Sequence, residues 1–243
     1  MHKVLVFKIW GDYAHFKKYY TTTSPLTFEF PPPPTTIGLI SAIIGLDKKD
    51  NFYLTKFPQN SYRIAIKLNH FVDKVRWSLN LINTKDIKLF RLIKKKGHEP
   101  HTQIRTEYLK KPSFTLYFWH NNKGIYKSLK GHLESHTSVY SVYFGLSELL
   151  ANFQYIGELG IIERKNNDLV KIDSVIPSGY LSNNEINFTE GREIFQVNYP
   201  IFMNPERVVE QRENVFFERK ARSIECKPSK YWEVENGERI VFF

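Results

Sequence analysis

Four consecutive prolines, Pro31 to Pro34, constrain this chain more than any other feature. Proline lacks a backbone N–H and holds φ near the polyproline II value, so the run predicts a stiff, extended approach rather than helix interior or central strand. On this reading helix begins only after the run. Thr35 or Thr36 is expected to accept a hydrogen bond from a first-turn N–H; Ile37, Ile40, Ser41 and Ile44 follow helical spacing; Gly45 supplies a stop. Gly38, Ser41 and Ala42 leave the other side of that helix small, able to lie close against a sheet, and its N-terminus would offer free N–H groups and partial positive charge to a phosphate. A tight packing motif with no ligand accounts for the same residues. The prolines could also serve a polyproline-reading partner, but their position against the helix start favours a structural role.

Upstream, Val4 to Trp10 form an apolar, β-branched and aromatic run ended by Gly11-Asp12, the pattern of a strand buried on at least one face. A basic aromatic loop, Gly11 to Tyr20, joins the two features. Lysine there can neutralise phosphates, and His15, Phe16 and Tyr19 can stack on unpaired bases, although Trp10, Phe16 and Tyr19 fit core positions equally well.

Charge extends the same reading. Thirty-five Lys and Arg against twenty-five Asp and Glu give +10 and a pI near 9.4, which favours a polyanionic partner, and 15% aromatic content adds stacking surface. From Phe71 to Pro112 eleven basic residues (Lys74, Arg76, Lys85, Lys88, Arg91, Lys94, Lys95, Lys96, Arg105, Lys110, Lys111) face four acidic ones, which concentrates +7 of the excess in one stretch. Within it Arg76 to Ile82 and Ile87 to Ile93 read as extended, and Lys94 to Pro100 as a projecting tip. The bland alternative is a solvated lysine-rich loop.

No run approaches the length of a membrane span, and the chain opens on a strand-like pattern rather than a signal peptide, so a soluble cytoplasmic protein is expected. Cys226 is the sole cysteine, which leaves no intrachain disulfide and no cysteine-rich zinc motif. His132 and His136, four apart, lack an evident third ligand. No Walker loop, dinucleotide fingerprint or nucleophile elbow appears, so neither cofactor nor metal is expected.

Further strands are predicted at Ser61 to Asn69, Pro112 to His120 and the YIGELGII stretch, with a short helix at Leu129 to Thr137. The order is then β-α-β, basic insertion, β-α-β. That is an α+β, ferredoxin-like (split βαβ) plan with two helices on one face of an antiparallel sheet and the other face open to single-stranded RNA or another subunit. After Arg164, Asn166-Asn167-Asp168 mark a turn and short apolar runs follow, so the chain divides into a palm at 1–164, with the insertion at about 71–112, and a smaller β-rich C-terminal lobe at 165–243.

The segments FKIWGDYAHFKKYYTTTSPLTFEFPPPPTTIGLISAIIGL, RTEYLKKPSFTLYFW, VYFGLSELLANFQYIG and NYPIFMNPERVV, in this order, resemble CRISPR-associated protein five. This is the RAMP-superfamily subunit that caps the five-prime handle of the CRISPR RNA (crRNA) in type I Cascade, here nearest subtype I-B. The resemblance implies an RRM-like palm, a β-hairpin thumb where the basic stretch falls, and a non-catalytic role in antiviral defence. That role is gripping the crRNA while contacting the backbone and large subunits, with target DNA met through the complex. Carried onto this chain, the handle-binding surface would comprise Lys8, Trp10, Gly11, His15, Phe16, Lys17, Lys18 and Tyr19; Thr35 and Thr36 at the helix start; and Arg76, Lys94, Lys95, Lys96, His98, His101, Arg105, Lys110 and Lys111 of the thumb. One branch of that family resembles a metal-independent endoribonuclease using a tyrosine with an adjacent lysine-histidine pair. This chain has no Lys-His dipeptide, although His98 or His101 beside Lys94 to Lys96 leaves another arrangement open. A generic RRM-like RNA-binding protein is the third reading. Neutralising Lys94, Lys95 and Lys96 together is expected to weaken RNA affinity or assembly, measured by filter binding and co-purification; an unchanged complex would leave the stretch a solvated loop.

Overall fold

The computed structural model describes residues 2–21, 23–82, 101–165 and 168–243. Strand β1 (Lys3–Gly11) lies at the centre of a six-stranded sheet. Its residues alternate between two apolar layers. Leu5, Phe7 and Ile9 face the helices, while Val4 and Val6 belong to a second cluster on the opposite face. β1 is flanked by β6 (Ser113–His120) and β7 (Ala151–Arg164), and β3 (Tyr62–Leu68) pairs with the far side of β6; all these pairings are antiparallel. Helix α1 (Pro33–Ile44) lies between β1 and β3 in the chain, and α3 (Lys123–Glu134) between β6 and β7. Each helix thus joins two strands that have one other strand between them, and the two β-α-β units interleave. A short α2 (Phe52–Thr55) precedes β3.

Helix α1 starts inside the proline run, not after it. Pro33 and Pro34 occupy its first two positions, with Pro32 as cap and no side-chain capping bond. The first turn has no intrahelical use for those N–H groups, so proline is tolerated there and its fixed φ is already helical. Thr36 does not cap; its Oγ1 donates to Pro32 O at 3.3 Å. Gly45 ends the helix at φ 77° as expected, and the carbonyls of Ala42 and Ile43 accept from Tyr140 and Val139 of the segment after α3. Of the small residues, Gly38 is not part of the sheet contact, since a Cβ there would meet nothing within 4 Å, whereas Ser41 is buried. Ile37, Ile40 and Ile43 make that contact instead. Helix α3 begins six residues earlier than the sequence pattern suggests, because Asn122 Oδ1 accepts from the N–H groups of Gly124 and Ile125.

The basic insertion is a β-hairpin. β4 (Lys74–Ile82) and β5 (His101–Lys110) pair from Lys74↔Leu109 to Ile82↔His101, and β2 (Tyr13–Ala14) joins the other side of β5. The expected strand Ile87 to Ile93 and the tip, with Lys85, Lys88, Arg91, Lys94, Lys95, Lys96 and His98, lie outside the described residues.

Beyond Arg164 the chain is β-rich and packs onto the palm, and its last strands go further and join the palm sheet. β8 (Val170–Ile172), β10 (Leu181–Ile186) and β13 (Ile224–Pro228) form one three-stranded sheet; β9 (Ile176–Pro177), β11 (Ile194–Met203) and β12 (Val209–Glu218) form another. β14 (Tyr231–Val234) and β15 (Arg239–Ile240) return to extend the large sheet beside β7. Val175, Tyr199, Ile201, Val215 and Phe217 share the main core with β1 and α1. Burying each such side chain stabilises by about 1.5–3 kcal/mol, enough to bind the lobe to the palm. The helix-free face of the sheet is therefore only half open: Trp232, Ile240 and Phe242 cover its Val4–Val6 end. Lys8 and Trp10 lie beyond that cover.

A loop at 142–150 clamps the post-β1 segment. His15 N–H donates to Phe144 O at 3.0 Å, and Gly145 sits at φ 91° with the position of a Cβ only 1.9 Å from His15 O. Replacing Gly145 with Ala is expected to lower stability by about 1–3 kcal/mol from backbone strain alone, with the clash added, as read by the urea midpoint.

Candidate nucleic-acid interface

Pairing brings two of the sequence-predicted regions together. Gly11 N–H donates to Pro112 O, Lys111 N–H to Asp12 O, and Tyr13 pairs with Lys110, so the loop after β1 and the base of the thumb are one surface. Gly11 is needed at this crossing, since a Cβ would lie 2.8 Å from Leu150 O. Lys17, Tyr19, His101, Arg105, Lys110 and Lys111 are exposed there and on the hairpin, and Lys8 holds its ammonium 5.4 Å from the Trp10 ring centroid.

The hairpin register sorts its side chains onto two faces. Val75, Trp77, Leu79 and Leu81 share one with Tyr108, Thr106, Ile104 and Thr102; Arg76, Ser78 and Asn80 share the other with Glu107, Arg105 and Gln103. On the apolar face an aromatic series runs inward from the exposed Trp77, with Tyr13 4.4 Å from it, Tyr108 5.5 Å from it, and His15 5.6 Å from Tyr108. Sequence reading missed Trp77 and Tyr13 as part of this surface. The period-two apolar pattern of VRWSLNLI was the available signal. It also missed Arg212, whose guanidinium lies 3.7 Å from the Tyr19 ring centroid. That contact joins residues far apart in the chain, and no local pattern announces it.

Several predicted contacts are removed from the surface. Phe16 is in the core against Phe114 and Phe144, because the 142–150 loop closes over it, so it has no face for a base. His15 is buried and its Nδ1 bonds Glu107 O at 2.7 Å. Burial holds its pKa below the ordinary value, with Lys17 adding to that effect against the opposing pull of Glu107. Lys18 is 8% exposed and ion-paired to Glu29 at 3.1 Å. The helix start fails as a phosphate seat: Pro33 and Pro34 have no N–H, the Thr36 N–H is spent on Pro32 O, Thr36 is fully buried and Thr35 half-buried. His98 and Lys94 to Lys96 lie outside the described residues.

At the thumb base an ionic network consumes part of the charge excess. Lys74 Nζ donates to Glu29 Oε1 at 2.8 Å, Thr27 O at 3.0 Å and Glu107 Oε1 at 3.1 Å, which uses all three of its protons. Arg76 donates through Nε and Nη2 to Glu107 Oε2 at 3.2 and 3.1 Å, with its side chain still 58% exposed. Glu29 also accepts from the Tyr199 hydroxyl at 3.0 Å. Burial alone would raise the pKa of both carboxyls, but Lys74 and Lys18 hold Glu29, and Lys74 and Arg76 hold Glu107, below the ordinary carboxylate range. Arg105, Lys110, Lys111 and Lys17 have no carboxylate within ion-pair distance among the described residues.

The sequence matches the profile of the family described as CRISPR-associated protein (Cas_Cas5) over residues 4–174. No protein of curated function matches it. Among solved structures, a CRISPR protein from Archaeoglobus fulgidus is similar over 99% of this chain and 98% of its own, at 16% identity and a TM-score of 0.56. A chain of a CRISPR RNA-guided surveillance complex is similar over 93% and 91%, at 10% identity and a TM-score of 0.52. At these identities the structural likeness speaks to fold.

Removing Glu29 as Glu29→Ala leaves two cations beside an empty buried site and is expected to cost about 3 kcal/mol or more, read by the denaturant midpoint. Because the Glu29 and Glu107 pKa values are depressed on folding, their stabilisation is present above the ordinary carboxylate pKa of about 4.3 and is lost as pH falls through their folded values. Acid unfolding of the Glu29→Gln variant should show a shallower slope below that pH than the parent.

Proposed function

This chain belongs to the CRISPR-associated Cas5 family, and on that premise we propose that it is a non-catalytic RNA-binding subunit of a type I CRISPR Cascade surveillance complex. In this reading it grips the five-prime handle of the crRNA and bridges the backbone and large subunits, reaching target DNA through the complex. The interleaved β-α-β order supports a ferredoxin-like palm carrying a thumb. The observation that carries the reading is the shared surface of the post-β1 loop and the thumb base. Lys110 and Lys111 offer uncompensated positive charge beside the rings of Tyr13 and Trp77, and Arg105 adds charge on the opposite face of the hairpin. Cations neutralise phosphates without reading sequence, while each stacked base adds about 1–3 kcal/mol. Lys17 with the Tyr19–Arg212 stack extends the basic aromatic surface along the N-terminal loop.

Two histidines are committed to the fold, which supports the absence of catalysis. His15 bonds the Glu107 carbonyl, and His120 bonds the Lys56 carbonyl through Nε2 and the Asn122 N–H through Nδ1. Neither ring nitrogen of His120 is open to a substrate proton. His101, exposed on the hairpin, and His98, outside the described residues, are the two candidates for an endonuclease beside Lys94 to Lys96.

The combined Arg105→Ala, Lys110→Ala and Lys111→Ala variant is expected to bind handle-bearing RNA more weakly. The slope of log K against log salt should fall by about 2, at roughly 0.7 for each phosphate that the variant no longer neutralises. Binding that ignores handle sequence and follows salt alone would favour a generic RNA-binding protein. Incubation with labelled repeat RNA in EDTA should leave the RNA intact; specific cleavage at the repeat would overturn the non-catalytic assignment, and loss of that cleavage in His101→Ala would place it on the hairpin.

A further inference from the structure

A cavity of about 270 Å³ opens at the start of β3, the end opposite the thumb. Tyr62 and Arg63 begin β3, and the thumb leaves after Leu68, so the two regions are about 17–20 Å apart at roughly 3.3 Å per residue. The walls come from three parts of the fold. Tyr62 and Arg63 belong to the palm, Phe202 and Glu213 to the β11–β12 hairpin of the C-terminal lobe, and Tyr180 and Lys230 to the rest of that lobe. Phe243, whose N–H donates to Ile64 O at 2.9 Å, closes the side along the edge of β3.

The lining is chemically divided. Tyr62, Tyr180 and Phe202 bring aromatic residues to the lining. Two cations reach the same space: Arg63 spends one N–H on Tyr62 O at 2.9 Å, and Lys230 lies 5.7 Å from the Tyr180 ring centroid. Neither has a carboxylate within ion-pair distance among the described residues. The one acidic group on the lining, Glu213, has its Oε1 already accepting the Gly179 N–H at 2.6 Å, and its second oxygen remains available as an acceptor. At the rim Gln59 donates to Gln211 at 3.0 Å, an amide pair that can rearrange to meet a polar ligand edge. Ligand sites combine apolar aromatic walls with a few convergent polar groups, and this volume lies just below their usual range of about 300–1,000 Å³.

We propose that this cavity binds a single nucleotide unit, an aromatic base carrying a phosphate. The base enters between the rings, an exocyclic amino group donates to Glu213, and Arg63 and Lys230 hold the phosphate. Both cations can take an anion and the aromatic lining a planar partner, and a nucleotide supplies the two together. The site is separate from the thumb-base surface, and its assignment stands whether or not the RNA-handle reading holds. The chemistry is the same for a free mononucleotide and for one residue of a single strand.

The test is calorimetric titration of the full chain with AMP, adenosine, ribose 5-phosphate and a short oligoadenylate. AMP is expected to bind one to one, with adenosine and ribose 5-phosphate each at least about tenfold weaker, the loss of one half of the recognition. Lys230→Gln and Arg63→Gln should each weaken AMP by about tenfold, one charge-assisted contact. If Arg63→Gln fails to fold, Lys230→Gln decides alone. The double variant Lys110→Ala with Lys111→Ala should leave AMP binding unaltered. Oligoadenylate binding that is lost in Lys230→Gln, without AMP binding, would assign the occupant to a strand. No binding of either at millimolar concentration, binding undiminished in Lys230→Gln, or equal loss in the thumb-base variant would overturn the proposal.

Discussion

The Lys74 ammonium, with Glu29, Glu107 and the Thr27 carbonyl around it, is the interaction on which the rest of this structure depends. It meets three segments that are distant in sequence: the approach to the prolines, the rising arm of the thumb and its returning arm. Through Glu29 the network continues to the Tyr199 hydroxyl, and the Tyr199 ring stacks on Phe30 at 4.2 Å, so the C-terminal hairpin is drawn into the same knot. Charges at this depth are tolerated only when each is paired and hydrogen-bonded. The geometry of the thumb base is thereby narrowly specified, and the hairpin leaves the palm in one direction.

That pairing changes what the basic composition means. Lys74 and Lys18 stabilise the fold and offer nothing to a phosphate, while Arg76 divides its guanidinium between Glu107 and solvent. The charge open to a polyanion at the described thumb base is carried by Arg105, Lys110 and Lys111, with Lys17 on the adjoining loop. Counting charges along the chain overstates the binding surface, because a lysine against a buried carboxylate and a lysine in water count alike. Aromatic residues divide in the same way: Phe16 is packing, whereas Tyr19 and Trp77 keep exposed faces.

The prolines illustrate how a correct local reading can lead to a wrong site. Proline does punctuate the chain at the helix start, but it does so from within the first turn. The missing N–H groups that make proline acceptable there are the groups that would have held a phosphate. The seat offered by the sequence pattern is closed by the residues that define it. Helix α3 shows the reverse case, where Asn122 supplied an ordinary cap signal ahead of a segment whose apolar spacing is clear only in its second half.

The amino-acid sequence by itself determined the period of its elements: β1, β3, the rising hairpin arm β4, β6 and two helices, with Gly45 as a terminator and a β-rich remainder after Arg164. These follow from local rules, namely alternation, helical spacing and the φ preferences of proline and glycine, which act within a few residues. Tertiary structure alone decided which residues of the basic loop face water, which lysines are paired, that β14 and β15 complete the palm sheet, and that Arg212 stacks on Tyr19. Each of these depends on contacts between residues tens to nearly two hundred positions apart. Burial and pairing are properties of the assembled core, and they decide function here because a cation or ring can bind a ligand only where the fold has not already used it.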